Sequence, residues 1–243
     1  MGPDGRKLTG SPEHTALSRK AAGEGMVLLK NDDNALPLKK DEKVALFGKA
    51  TIEYIKGGGG SGDVFCAYTH NIYDGFAQKE KEGKISVYMP TVDFYKEYVK
   101  KESRKIPTRA EIEKTWDIVN AMDFCRKKDD IVYDTFASMH VVEAEAPDEL
   151  ISAAAENADT AIITLSRFSA EGVDRRAISG DYYLSDAEKS LIDRVSAAFK
   201  KTIVVLNSGG VVDCEHFAEN DKVQGILCGW QGGMEGGMES CTT

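Results

Sequence analysis

No stretch of this sequence stays apolar for the ~18–20 residues that a membrane-spanning helix requires. The N-terminus, MGPDGRKLTGSPEH, also lacks the apolar core of a secretory leader, so a cytoplasmic location is expected. The five cysteines (Cys66, Cys125, Cys214, Cys228, Cys241) are odd in number, scattered and without CxxC spacing. That pattern fits reduced thiols rather than a disulfide framework. His14, His70, His140 and His216 stand far apart, none with a partner at ligand spacing, so no metal is expected. There is no GxSxG elbow for a serine nucleophile. Positive charge is in the minority: a formal net charge of −9 argues against nucleic-acid and anionic-membrane partners.

What is present is an ordinary globular composition, 42% hydrophobic and 29% charged, in a chain long enough to bury a real core. Ser11-Pro12-Glu13 reads as a helix start with Ser as the cap and Pro in the first turn, running to about Ala22, where Gly23 and Gly25 interrupt it. MVLLK (26–30) is short and apolar, and the turn-rich NDDNALP ends it. KVALFG (43–48) has the continuous aliphatic character of a buried strand. GGGGSG (57–62) follows, then a helix around 70–80 and a strand at ISVYM (85–89). Thr108-Arg109-Ala110-Glu111 fits a capping box, continued at helical spacing by Ile112, Trp116, Val119 and Met122.

Residues 130–146 show no clear period and admit an extended reading. Pro147 to Asn157 reads as a helix and TAIITL (160–165) as a strand. A second capping box, Ser185-Asp186-Ala187-Glu188, opens a helix to about Phe199. TIVVLN (202–207) and VQGILCG (223–229) are further strands, separated by a short polar segment. Continuous aliphatic strands with helices between them predict a three-layer α/β sandwich of flavodoxin-like kind, a mainly parallel sheet covered by helices on both faces.

In such sheets ligands gather where loops leave the carboxyl ends of the strands. Four loops should converge there: the glycine cluster, residues 166–180, Asn207-Ser208-Gly209-Gly210, and Gly229-Trp230-Gln231-Gly232-Gly233. Gly57, Gly59 and Gly62 formally satisfy GxGxxG. The cluster lies well beyond the end of its strand, however, and no acidic residue ends the next strand, so a dinucleotide site is disfavoured and no cofactor is expected. A flexible surface loop and a loop whose backbone approaches a ligand closely both fit it. The loop SRFSAEGVDRR (166–176) packs Arg167, Glu171, Asp174, Arg175 and Arg176 together. One reading is a solvated charge cluster. The other is a proton donor: Glu171, at a strand's carboxyl end beside Gly172 and flanked by Phe168, in surroundings that raise its pKa.

The loop resembles the EGxDR signature of glycoside hydrolase family 3, which includes β-glucosidases, β-xylosidases and N-acetylglucosaminidases. Three more stretches occur in the order of that family's α/β sandwich domain: AAGEGMVLLKNDDNALPL, KVALFG followed by GGGGSG, and GWQGGMEGG. The likeness runs from residue 13 to about 237. It implies an α/β sandwich domain over 13–243, shortened at its C-terminal end, with 1–12 as an N-terminal extension.

The resemblance implies that Glu171 is the general acid/base of a retaining β-glucosidase-like hydrolase acting on terminal β-D-glucosyl residues of a β-glucoside or oligosaccharide. It implies that Ser61, with Gly60 and Gly62, contacts the sugar, that Phe168 lines the aglycone side, and that Asp174 and Arg175 hold the loop. A retaining enzyme also needs a second carboxylate about 5–5.5 Å from the first. In this family the nucleophile is an aspartate on a TIM-type barrel, which takes ~250 residues of its own; no nucleophile carries over to this chain. The expected partner is therefore that barrel domain. Without it the chain should be inactive and should expose apolar surface around Phe65, Tyr68, Phe168, Tyr182, Tyr183 and Trp230, with self-association as a consequence. The alternatives are a β-xylosidase or other β-glycosidase of the same family, and a non-catalytic carbohydrate-binding or interaction module.

Overall fold

The computed structural model describes residue 5 and residues 10–58, 64, 66–103, 140–169 and 175–241. The first helix, α1 (Pro12–Gly25), starts where the sequence indicates, with the Ser11 hydroxyl accepting from the His14 amide, but runs three residues past Ala22. It buries no side chain. Arg19 instead ties it to the molecule, donating at 2.6 Å to the fully buried carboxylate of Glu235, which also accepts from the Tyr68 hydroxyl at 2.7 Å.

The chain continues through β1 (Val27–Asn31), β2 (Glu42–Phe47), α2 (Ile72–Lys81), β3 (Ile85–Val87) and α3 (Met89–Glu102). Then follow α4 (Asp148–Asn157), β4 (Thr160–Arg167), α5 (Asp186–Ala198), β5 (Lys201–Ser208), α6 (Glu215–Ala218), β6 (Gly225–Cys228) and α7 (Gly236–Glu239). Two of these differ from the sequence expectation. β3 stops at Val87, and Met89 and Pro90 open a helix, because proline in a first turn forfeits no hydrogen bond and has its φ preset for the helix. The polar segment before β6 holds α6, whose Phe217 is fully buried. The capping box at Thr108–Glu111 and its helix lie outside the described residues.

The six strands form one sheet in the order β1-β6-β5-β4-β2-β3, parallel except for β1, which pairs antiparallel with β6. β4 sits centrally and is buried along its whole length, which is why its apolar residues do not alternate with exposed polar ones. On one face Phe47, Ile163, Leu165 and Leu206 pack against Tyr95 of α3, Ile151 of α4, Leu191 and Val195 of α5 and Phe217. On the other, Val44, Leu46, Ile162, Ile203, Val205 and Leu227 pack with Ile72 and Phe76 of α2 and Val92 of α3. This second face keeps a cavity of about 430 Å³ between Phe76, Leu36 and the sheet; none of the loops leaving the carboxyl edge lines it.

The chain leaves β2 toward β3 on one side, and β4 leads toward β5 and β6 on the other. The crevice between the carboxyl ends of β2 and β4 is therefore the topological switch point, where ligands of such sheets bind.

Candidate active site at the switch point

β2 exits through Gly48, at φ 88°, where a side chain's first carbon would lie 2.2 Å from the Thr164 carbonyl oxygen. Only glycine allows this close approach of two backbones. The 3-10 turn Lys49–Thr51 follows, and residues 140–144 run beside it. Two carboxylates stitch these segments together. Glu143 accepts the Lys49 amide at 3.0 and 3.1 Å and the Ala144 amide at 2.9 Å. Glu53 accepts the Val141 amide at 3.0 Å, lies 2.7 Å from the Lys49 ammonium, and is 3.6 Å from Nδ1 of His140.

Their electrostatics diverge. Burial pushes the Glu143 carboxyl up to about 7, against the pull of the Ala144 and Lys49 amides. Burial acts in the same sense on Glu53. There the His140 contact, the Lys49 charge and the Val141 amide prevail and hold the carboxyl below the usual range.

On the other wall, Arg167 ends β4 with its guanidinium buried. It donates to Glu188 (Nη2 to Oε2, 2.7 Å; Nη1 to Oε1), to the Asp181 carbonyl at 2.7 Å and to the Ser166 carbonyl at 2.9 Å. Glu188 also completes the capping box of α5, accepting the Ser185 amide at 2.8 Å. Arg175 reaches back over the loop that follows. It donates to the Phe168 carbonyl, to the Ser169 hydroxyl at 3.0 Å and to Asp181, whose second oxygen takes the Arg176 amide at 2.6 Å. Phe168 and Ser169 on one side of residues 170–174 are thus tied to Arg175 on the other by one guanidinium.

Asn207, at the end of β5, joins two further loops. Its side chain accepts the Ile55 amide at 2.8 Å and donates to the Ile55 and Trp230 carbonyls at 2.9 and 2.8 Å. The start of the glycine cluster comes close as well, since a first side-chain carbon on Gly58 would lie 3.0 Å from the Ser169 carbonyl oxygen. Between the walls is a cavity of about 200 Å³, bordered among others by Lys49, His140, Glu143, Phe168, Arg175 and Glu188. Phe168 is half-buried there, its ring 4.7 Å from that of His140 and tilted by 32°.

Of the residues singled out from sequence, Phe168 and Arg175 meet at this crevice. Glu171, Asp174, Gly60, Ser61 and Gly62 lie outside the described residues, as does Phe65. Sequence reasoning passed over Glu53 and Glu143, placed Asn207 only within a converging loop and named His140 only as a histidine without a ligand partner; each makes a contact remote in the chain. It recognised Glu188 only as a capping residue. An arginine closing an otherwise apolar buried strand was the one available signal that Arg167 needed a buried anion. Among the described residues, no three His, Cys, Asp or Glu side chains are grouped to hold a metal.

The family profile described as the glycosyl hydrolase family 3 C-terminal domain matches residues 26–241. The chain belongs to glycosyl hydrolase family 3. As such a C-terminal domain it is 38% identical to beta-glucosidase A of Butyrivibrio fibrisolvens, over 98% of this chain and 28% of that protein. It is 29% identical to a beta-glucosidase of Ruminococcus albus, over 93% of the chain and 21% of the relative. Beta-glucosidase 3B from Thermotoga neapolitana, solved in complex with glucose, superimposes with a TM-score of 0.75 at 33% identity, covering 94% of this chain and 28% of that structure. The family 3 domain therefore spans well under a third of the proteins it matches.

Proposed function

We propose that this domain supplies the general acid/base, Glu171, to a retaining β-glucosidase whose nucleophile lies on another domain. The observation that carries the reading is the grip of Arg175 on Phe168 and Ser169 at the carboxyl end of β4, beside the switch point. The described residues on either side of Glu171 are thus held at the sheet edge where ligands of such folds bind. Acting first as acid, Glu171 protonates the leaving glycosidic oxygen. Acting then as base, it activates the water that releases the glycosyl-enzyme. The beta-glucosidase names of the relatives support glucose as the sugar.

The same edge exposes Tyr68, Val142, Ile178, Tyr183, Val211 and Trp230, each at 41% or more, as a surface awaiting another domain does. The isolated chain is expected to show concentration-dependent sedimentation that Trp230→Glu weakens. Monomeric behaviour at high concentration would remove this support.

The test of the reading uses the domain within a polypeptide that also carries its barrel. Glu171→Ala should lower kcat about 10²–10⁴-fold on alkyl glucosides, whose leaving groups need a proton. Dinitrophenyl glucoside should be cleaved with slow deglycosylation that azide accelerates. Equal losses on both substrates without azide rescue would assign Glu171 a structural part only.

A further inference from the structure

We propose that the cavity on the second face of the sheet binds a single-chain alkyl carboxylate, with its tail on the sheet and its charged end among lysines at the rim. The inference goes beyond the functional reading above and does not depend on it. The cavity measures about 430 Å³, a size typical of small-molecule sites. Its floor is two cross-strand pairs, Ile162 beside Ile203 and Val205 beside Leu227, all buried. Phe76 of α2 borders it, as do Leu36 and Leu38 from the connection between β1 and β2. Protein interiors hold few voids larger than a water molecule, and an apolar void of this size forfeits packing contacts along its whole lining. Such cavities stay dry and take apolar molecules. The body of the occupant is therefore hydrocarbon.

The rim decides the other end. Lys39, Lys40, Lys79 and Lys84 border the cavity, and no aspartate or glutamate does. In a chain with 40 acidic and 31 basic residues, composition alone favours the opposite. Lys79 and Lys84 share one oxygen of Glu82, at 3.9 and 2.8 Å. Among the described residues no carboxylate is paired with Lys39 or Lys40. Ammonium groups gathered at the mouth of an apolar cavity complement a ligand with a negative end. The other polar groups of the wall carry no charge to oppose it. The Ser240 hydroxyl donates to the Gly236 carbonyl at 2.9 Å. The Cys241 thiol, which burial pushes up, lies 3.5 Å from the Ile72 and Gly237 carbonyls. A cationic amphiphile would meet four like charges at the same opening.

The experiment titrates the 243-residue chain with sodium decanoate below its micellar range, followed by calorimetry and by methyl NMR. Saturable binding at one site is expected. The methyls of Ile162, Ile203, Val205 and Leu227 should shift, and those of Ile163 and Leu206, on the opposite face, should not. Octanoate should bind about tenfold more weakly, because two fewer methylenes leave water. Decyltrimethylammonium, with a tail of the same length and the opposite charge, should not saturate the site. Replacing both Lys39→Gln and Lys40→Gln should weaken decanoate about fivefold or more. Both lysines are exposed, so this variant keeps the fold.

Absence of saturable binding overturns the proposal, and so do methyl shifts scattered over both faces. Equal binding of decanoate and decyltrimethylammonium, or an affinity indifferent to the two lysines, overturns it too. The titration is then repeated on the domain within a polypeptide that also carries its barrel. Binding retained there supports the site. Binding lost there means that another segment of protein fills the cavity, and the proposal falls. Neither titration reads glycosidase activity, so failure of this site and failure of the Glu171 reading are told apart.

Discussion

Replacing Glu188 by alanine is expected to destabilise the domain by about 3–5 kcal/mol, the usual consequence of leaving one member of a buried ion pair alone. Glu188 is 4% exposed and its partner Arg167 is 6% exposed, so neither charge can turn to water. Without the carboxylate, a guanidinium at the end of the central strand keeps only the carbonyls of Ser166 and Asp181. One half of the capping box of α5 goes at the same time, because the Ser185 amide loses its acceptor while the Ser185 hydroxyl still accepts the backbone amide of residue 188. For a domain of this size the melting temperature should fall by on the order of 10 °C.

The double replacement Arg167→Met with Glu188→Leu should be markedly more stable than either single one, because it removes both charges together. Its chain from 175 to 185 should nevertheless be less ordered, having lost the hydrogen bond to the Asp181 carbonyl. By contrast Asp148, 82% exposed in its pair with Arg194, should change stability by less than about 1 kcal/mol on replacement by alanine. Denaturant unfolding with a constant m-value measures all five. A Glu188→Ala cost no larger than that of Asp148→Ala would mean that the pair is not buried in solution.

The contrast between those two glutamate and aspartate pairs also shows what the sequence could reveal. β2, β4, β5 and β6 were legible because burial on both faces leaves a local mark, a run of aliphatic residues bounded by polar ones. The second capping box was legible because its two partners stand three residues apart. α3 was not, since Met89 and Pro90 continue an apolar run and the distinction between strand end and first helical turn depends on packing of Tyr95 and Val92 against the sheet.

The contacts that assemble the crevice leave no such mark. Glu143 meets Lys49 across 94 positions, Glu53 meets Val141 across 88, and Asn207 meets Ile55 across 152. A carboxylate bound to a remote amide looks, in sequence, like any surface carboxylate. The loop begins at a strand's carboxyl end, as expected, and of the residues that hold its base the resemblance named Arg175 but not the others. Arg175 is within the motif; Arg167, Asp181 and Glu188, which fix its base, are not.

Glu143 should make the domain lose stability as the pH rises through the neutral range, and Glu143→Gln should abolish most of that loss. In the unfolded chain its carboxyl ionises near the ordinary 4.5, whereas in the folded domain burial pushes it up to about 7. Between these two values the folded state holds a proton that the unfolded state has released, so raising the pH favours unfolding. Below the lower value both states are protonated, and above the higher value neither is.

The full displacement corresponds to about 3 kcal/mol. Glu143 retains part of its surface toward the cavity, which lets solvent screen the charge, so about 1–2 kcal/mol is the expected size. Glu42 and Glu53 act in the opposite sense and in a different window. Burial raises each carboxyl, but charge and hydrogen-bond partners more than offset it, so their stabilisation is complete above the ordinary carboxylate range and is lost only as the pH falls below it.

The glutamine variant copies the protonated side chain, with one oxygen still able to accept the Lys49 and Ala144 amides. At pH 5 it should match the wild type or fall slightly below it. At pH 8 it should exceed the wild type by the 1–2 kcal/mol estimated above. Urea unfolding of both proteins from pH 4.5 to 8.5 measures the difference directly, because contributions common to the two cancel. Stability curves that run parallel across the whole range would mean that Glu143 ionises in the folded domain as it does in the unfolded chain, and that the Lys49 turn is held by an ordinary carboxylate.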